Sequence, residues 1–289
     1  VNKVNTHVGT LGTNFSKAMD KINSKLSTIK LASFIQNVQS VATGLDSLNA
    51  PGLKLSSSLA DLSAITDVTG EKLQEIEGYA RKSAKTFGGD AADGVESYKL
   101  ILSQLTPELG KAPKALQAMG ESVNILSKTM GGDTAAATEV LTTAMNQYQV
   151  STQDPIKASK EMARMMNIMS AGAKEGSAEL PQIKAALEQS GMAAKTANVS
   201  FAETNAAIQV LDKAGKKGSE GGVALRNVMA SLAQGRFLPK DVQKELQDAG
   251  VDINILGNKS LSLTDRLRAF RSIMNDKALV TKMFGKENS

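Results

Sequence analysis

Apolar residues near the start of the chain fall at positions 4, 8, 11, 15, 19, 22, 26 and 29, and again at 34, 38, 41, 45 and 48. Steps of three and four place one apolar stripe along a helix and are the spacing of a coiled coil. The extra step of four from Phe15 to Met19 and the step of five from Ile29 to Phe34 interrupt the heptad, so a local change of winding or of partner is expected there. No proline intervenes before Pro51, and the pattern predicts a helix of about 45 residues, roughly 68 Å long. Lys17, Lys21 and Lys25 share a face away from most of the stripe, which suits a solvated or lumen-facing edge. An exposed apolar stripe of this length needs a partner, so self-association as a homo-oligomeric coiled coil is expected.

Asn49-Ala50-Pro51-Gly52 reads as a break, and Ser56-Ser57-Ser58 as a bridge to a second region. The expected organisation is an extended rod over 1–54 and a multi-helix domain over 55–289. Short helices then follow one another, each announced by a side chain able to accept the free N–H groups of a first turn. Thr69 opens one that ends near Gly88-Gly89, and Asp90 opens another that stops at Thr106-Pro107. A third runs from about Pro113 to Met130 and closes on Gly131-Gly132, before Asp133 starts the next. Ser151 with Asp154, Ser200 with Glu203, and Ser262 with Asp265 have the spacing of reciprocal caps, the last helix being expected to end near Asn275. Val251 to Ile255 alternates apolar and polar, and Gly257-Asn258-Lys259 can turn it back, so a small β-hairpin near 251–263 is expected as an ornament.

Composition agrees with an all-α chain: aromatic residues make up 3%, there is no Trp, and Ala, Leu, Met, Lys, Glu and Gln abound. With no cysteine, disulfides, iron–sulfur clusters and thiolate metal sites are excluded. The net charge of +5 is uneven, since residues 1–54 hold six Lys against two acids. That leaves the first segment open to weak polyanion contact and argues against a broad nucleic-acid footprint on the rest. The longest uncharged stretch, Leu31 to Leu45, is interrupted by polar residues and too short for a bilayer, so no membrane span is expected. Because the sequence begins at Val1 rather than Met, it is expected to be part of a longer polypeptide.

The strongest candidate for chemistry is Ala214 to Arg226, a turn with four glycines and two lysines leading into a helix. Backbone amides and lysines in such a turn can cradle a phosphate. The spacing contradicts this: Val210 stands where a phosphate loop needs its first glycine, Lys217 follows Gly215-Lys216 where Ser or Thr belongs, and the dinucleotide fingerprint also fails. The turn reads instead as a joint between packed helices. His7 is the sole histidine, which leaves no base for a catalytic triad and no histidine metal set. Asp90, Asp93 and Glu96 do not align with a calcium loop and read as acids at a helix start. Met162, Met165, Met166 and Met169 form a stripe that reads as core, with a partner groove as the other reading. No catalytic, cofactor-binding or metal-binding residue is expected.

Several blocks nevertheless carry a resemblance: Leu62 to Gly70, Thr138 to Tyr148, Val199 to Glu203, Gly218 to Arg226, and Phe284-Gly285. In order and spacing the chain resembles, over about residues 60–286, the conserved core of tail tape-measure proteins of long-tailed bacteriophages and related prophages. It departs at Gly222, where that family often has Ala, and in the segment Gln234 to Pro239. The resemblance implies a structural virion protein without catalytic residues. It would set tail length during assembly in the host cytoplasm, occupy the lumen of the tail tube and leave it as DNA is ejected. Tail tube, tail tip or baseplate and tail-assembly chaperone proteins are then its expected partners, with DNA contact during ejection. The competing readings are a helical scaffold that binds DNA or a partner without acting as a ruler, and an enzyme supported only by the glycine turn.

Overall fold

The computed structural model describes residues 49–284, and among these there are thirteen α-helices and no strand. The rod expected over 1–54 lies outside the described residues apart from 49–54. So does His7. The chain divides after Ser170 into two compact units.

In the unit that contains 49–170, α1 (Asn49–Thr66), α2 (Gly70–Phe87), α4 (Pro113–Thr129) and α5 (Thr134–Gln147) pack against a central α3 (Ala91–Gln104). The burial of Ala92, Val95, Tyr98, Ile101 and Leu102 explains that position: α3 presents apolar groups on more than one side. The break and serine bridge expected at 49–58 are helical instead. Leu55, Leu59 and Leu62, spaced i, i+4, i+7, are buried, and α1 packs on α3. This packing outweighs the weak helix preference of the serines, of which Ser58 turns inward and donates to Glu96 at 2.8 Å. The start signals hold at Asp90, which accepts from the Ala92 amide at 3.0 Å, and at Asp133, which accepts from Ala136 at 2.9 Å. Met162, Met165, Met166 and Met169 on α6 (Pro155–Ala173) are all buried, as the core reading of that stripe requires. The cap of α6 differs from expectation. Asp154 itself accepts from the amides of Ile156 and Lys157 at 3.1 and 3.0 Å, while Ser151 accepts only from Gln153. Pro155 explains the shift: it is suited to the first helical position, which makes the residue before it the cap.

In the unit that contains 171–284, α7 (Leu180–Thr196) and α9 (Gly218–Gln234) lie together along their lengths, with α8 (Phe201–Lys213) against both. Smaller helices follow: α10 (Lys240–Asp248), α11 (Ile253–Leu256), α12 (Leu263–Arg268) and α13 (Lys277–Phe284). The hairpin expected at 251–263 is therefore absent. Asp252 accepts from the Asn254 amide at 2.9 Å and starts a turn of helix that buries Ile253 and Leu256, a period of three rather than two. The helix capped by Ser262, expected to run to about Asn275, also differs. It stops at Arg268, and a 3-10 turn at Ala269–Ser272 directs Phe270 into the core, edge-on to Phe284 with ring centroids 5.1 Å apart.

One helix ending recurs three times without having been anticipated. Gln149, Asn198 and Gly250 have φ of +53°, +55° and +79° and close α5, α7 and α10. The next residue is valine each time, and its amide reaches back to the last turn: Val150 to Met145 O at 2.9 Å, Val199 to Ala194 O and Val251 to Leu246 O at 2.8 Å. These are Schellman closures with their customary apolar residue. Ser200 and Asp252 follow at once as caps, so the chain leaves one helix and enters the next within a few residues.

Candidate functional site

The glycine turn forms a joint between α8 and α9. Gly215 has φ +91°, and the amides of Gly215 and Lys216 donate to Asp212 O at 3.0 Å and Leu211 O at 2.9 Å, closing α8 as the valines close the others. Lys216 pairs with Glu220 at 2.6 Å one turn on. The decisive glycine is Gly222. A Cβ there would run into the Ala186 carbonyl oxygen and stand 2.8 Å from the Ala186 Cα, so its absence lets α9 lie directly on α7.

A buried polar node lies at the other end of α8, around its cap Ser200. Ser200 and Glu203 form the predicted capping box, and Glu203, 7% exposed, also accepts from the Leu263 amide at 2.7 Å. Arg266, 1% exposed, donates from Nε to Leu256 O and from Nη1 to Ala197 O, both at 3.1 Å. Burial lowers the Arg266 pKa, and the Glu203 charge opposes that shift. The node ties the ends of α7 and α11 to the starts of α8 and α12. Its sequence signal was half visible: the box at Ser200 could be read, but nothing in Arg266 distinguishes it from its exposed neighbour Arg268.

Asp90, Asp93 and Glu96 are brought together, and their partners are internal. Lys54 reaches Asp93 at 2.8 Å and Asp90 at 3.7 Å, while Lys99 reaches Glu96 at 3.0 Å and Asp61 at 3.1 Å. These contacts fasten α1 to α3. Among the described residues no group of three or more His, Asp or Glu is placed to hold a metal ion, and no helix is long and apolar enough to cross a membrane.

A concave feature that the sequence did not indicate lies between α2, α3 and α4. It is a crevice of about 10 Å³, the size of one water molecule, lined by Tyr79, Lys82, Phe87, Tyr98, Gln117 and Glu121 among others. Burial raises the pKa of the Tyr98 phenol and of the Glu121 carboxyl, with Gln117 and Lys82 opposing the second shift. A carboxyl whose folded pKa is raised binds its proton more tightly folded than unfolded. Its contribution to stability is therefore present at low pH and is lost as pH rises through the raised value. Thermal unfolding of Glu121→Gln against the parent chain from acid to neutral pH is expected to show the variant gaining relative stability as pH rises; a pH-independent difference would contradict this.

Among the described residues the fold is all-helical, with Gly222 setting the approach of α9 to α7 and buried polar groups fastening helix ends. The chain belongs to the family described as phage-related minor tail protein, whose model matches residues 78–285, well over half of its length. Membership indicates a structural role in the virion tail, with tail-associated partners. No curated protein and no solved structure matched the chain.

Proposed function

We propose that this chain is part of a tail tape measure, which sets tail length during assembly, lies in the lumen of the tail tube and leaves it during DNA ejection. The observation that carries the reading is the family match over 78–285. The heptad-spaced apolar positions from Val4 to Leu48 support it independently, because a helix advances about 1.5 Å per residue and makes a natural ruler. In this reading the helical units dock on tail tip or baseplate, tube or chaperone proteins, and the chain acts by length and packing rather than catalysis.

Protease treatment of purified virions before and after triggered DNA ejection tests the location and the release. The chain is expected to be protected in intact tails and cleaved or lost after ejection; equal cleavage in both states would overturn the lumen assignment. A second reading, a DNA-binding scaffold, is favoured by the six lysines in residues 1–54. It predicts retardation of DNA with a steep salt dependence, whereas the tape-measure reading needs only weak contact.

A further inference from the structure

We propose that residues 176–179, on the path from α6 to α7, form a strap that lifts from α8 while the helices around it stay folded. The face of α8 beneath the strap is polar, where a buried helix face is ordinarily apolar: Asn205, Gln209 and Asp212, spaced i, i+4, i+7, are 0%, 3% and 4% exposed. The strap brings little apolar surface to that face. Of its four residues only Ala178 is buried, and Ser177 and Glu179 are exposed. Polar contacts hold it instead. Ser177 Oγ donates to Asp212 Oδ2 at 2.6 Å, the Ala178 amide donates to Gln209 Oε1 at 3.0 Å, and at the entrance to the strap Lys213 Nζ donates to Glu175 O.

These contacts leave two buried atoms unmatched. Gln209 Nε2 and Asp212 Oδ1 are shut off from solvent and have no hydrogen-bond partner among the described residues. Turning the Gln209 amide over gives no relief, because it would set a donor against the Ala178 N–H. Both atoms therefore gain bonds to water when the strap lifts, and that gain works against the bonds that hold it down. The fit is also sterically narrow. A Cβ on Gly176 would overlap the Gln209 side-chain amide and stand 2.7 Å from the Gln209 Cβ, which α8 holds in place. The backbone bonds at the two ends are independent of the strap: the Glu175 and Gly176 amides close α6 on Gly172 O, and Glu179 O accepts from Ile183 in the first turn of α7. The strap is thus a release point at which the chain lengthens without the unfolding of a helix. The inference concerns this unit alone and stands whether or not the chain is a ruler.

The test is native-state hydrogen exchange of the full chain, resolved to single amides and repeated across sub-denaturing guanidinium chloride. The Ala178 amide is expected to exchange at least a hundredfold faster than those of Ile208 and Gln209 in α8, at a rate nearly independent of denaturant, the signature of a local opening. Gly176→Ala is expected to speed exchange at Ala178 a further tenfold or more and to leave Ile208 unchanged, which also reports that the variant is folded. Ser177→Ala strips Asp212 of its remaining partner, so adding Asp212→Ala to it removes the buried carboxylate and is expected to slow exchange at Ala178 several-fold relative to Ser177→Ala alone. Exchange at Ala178 that rises with denaturant in step with Ile208 would overturn the strap, since it would then open only with the whole unit. Equal exchange in Gly176→Ala and parent, or in the single and double variants, would overturn the account of what sets its opening. If a variant does not fold, the denaturant dependence of the parent chain decides.

Discussion

Gly222→Ala is expected to destabilise the unit containing 171–284 by about 3 kcal/mol, the upper part of the range for overpacking a well-filled interior. The added methyl meets backbone, the Ala186 carbonyl and Cα, together with the Gln189 Cβ at 2.8 Å, so no side-chain rotation relieves it. Helices α7 and α9 must move apart along their shared length, which loosens contacts far from position 222. In a thermal melt this corresponds to a fall in midpoint on the order of 10 °C. Gly215→Ala is the control, because nothing lies near a Cβ there and only the φ of +91° resists the substitution. A loss of about 1–2 kcal/mol is expected for it. If the two variants lost equal stability, close helix approach would not be what Gly222 provides.

Glu203→Ala is expected to lose about 3–5 kcal/mol, the usual effect of removing one member of a buried charged set. The Leu263 and Ser200 amides lose their acceptor, and Arg266 stays buried without the charge that opposes its desolvation. Glu203→Gln keeps an acceptor but not the charge, and should fall between parent and Ala variant. Hydrogen exchange distinguishes this node from ordinary packing. Protection should fall first at Leu263 and Ser200, whose amides bond to the removed carboxylate; a uniform fall across the unit would contradict the local account.

Helix starts were the most legible part of the fold, because a cap is a local event. Asp90, Asp133 and the Ser200–Glu203 box act within three residues of themselves, and their side chains announce it. Misreadings arose where tertiary packing outweighs local preference. Ser56 to Ser58 look like a linker until Leu55, Leu59 and Leu62 find α3. Val251 to Ile255 alternates like a strand, yet Gly250 has just closed one helix and Asp252 opens the next, so no extended segment remains. The three valine closures were present in the sequence as a left-handed residue, valine and, twice, an immediate capping residue. Gln149 and Asn198 hide the first of these, since only glycine advertises a positive φ. The glycine turn is legible as a joint between α8 and α9, but the close approach expected between those two helices is made at Gly222 by α9 and α7 instead, through Ala186, more than thirty residues away. Tyr98, Glu121 and their crevice were illegible for the same reason, since three separate helices build it.

The ruler role is tested most directly by tail length. In-frame deletions within the heptad-patterned segment of the gene, made in a producing phage and measured by electron microscopy of virions, are predicted to shorten the tail by about 1.5 Å for each residue removed, with insertions lengthening it equally. Tails of unchanged length in viable deletion mutants would contradict the ruler and leave a tail protein that serves another structural purpose.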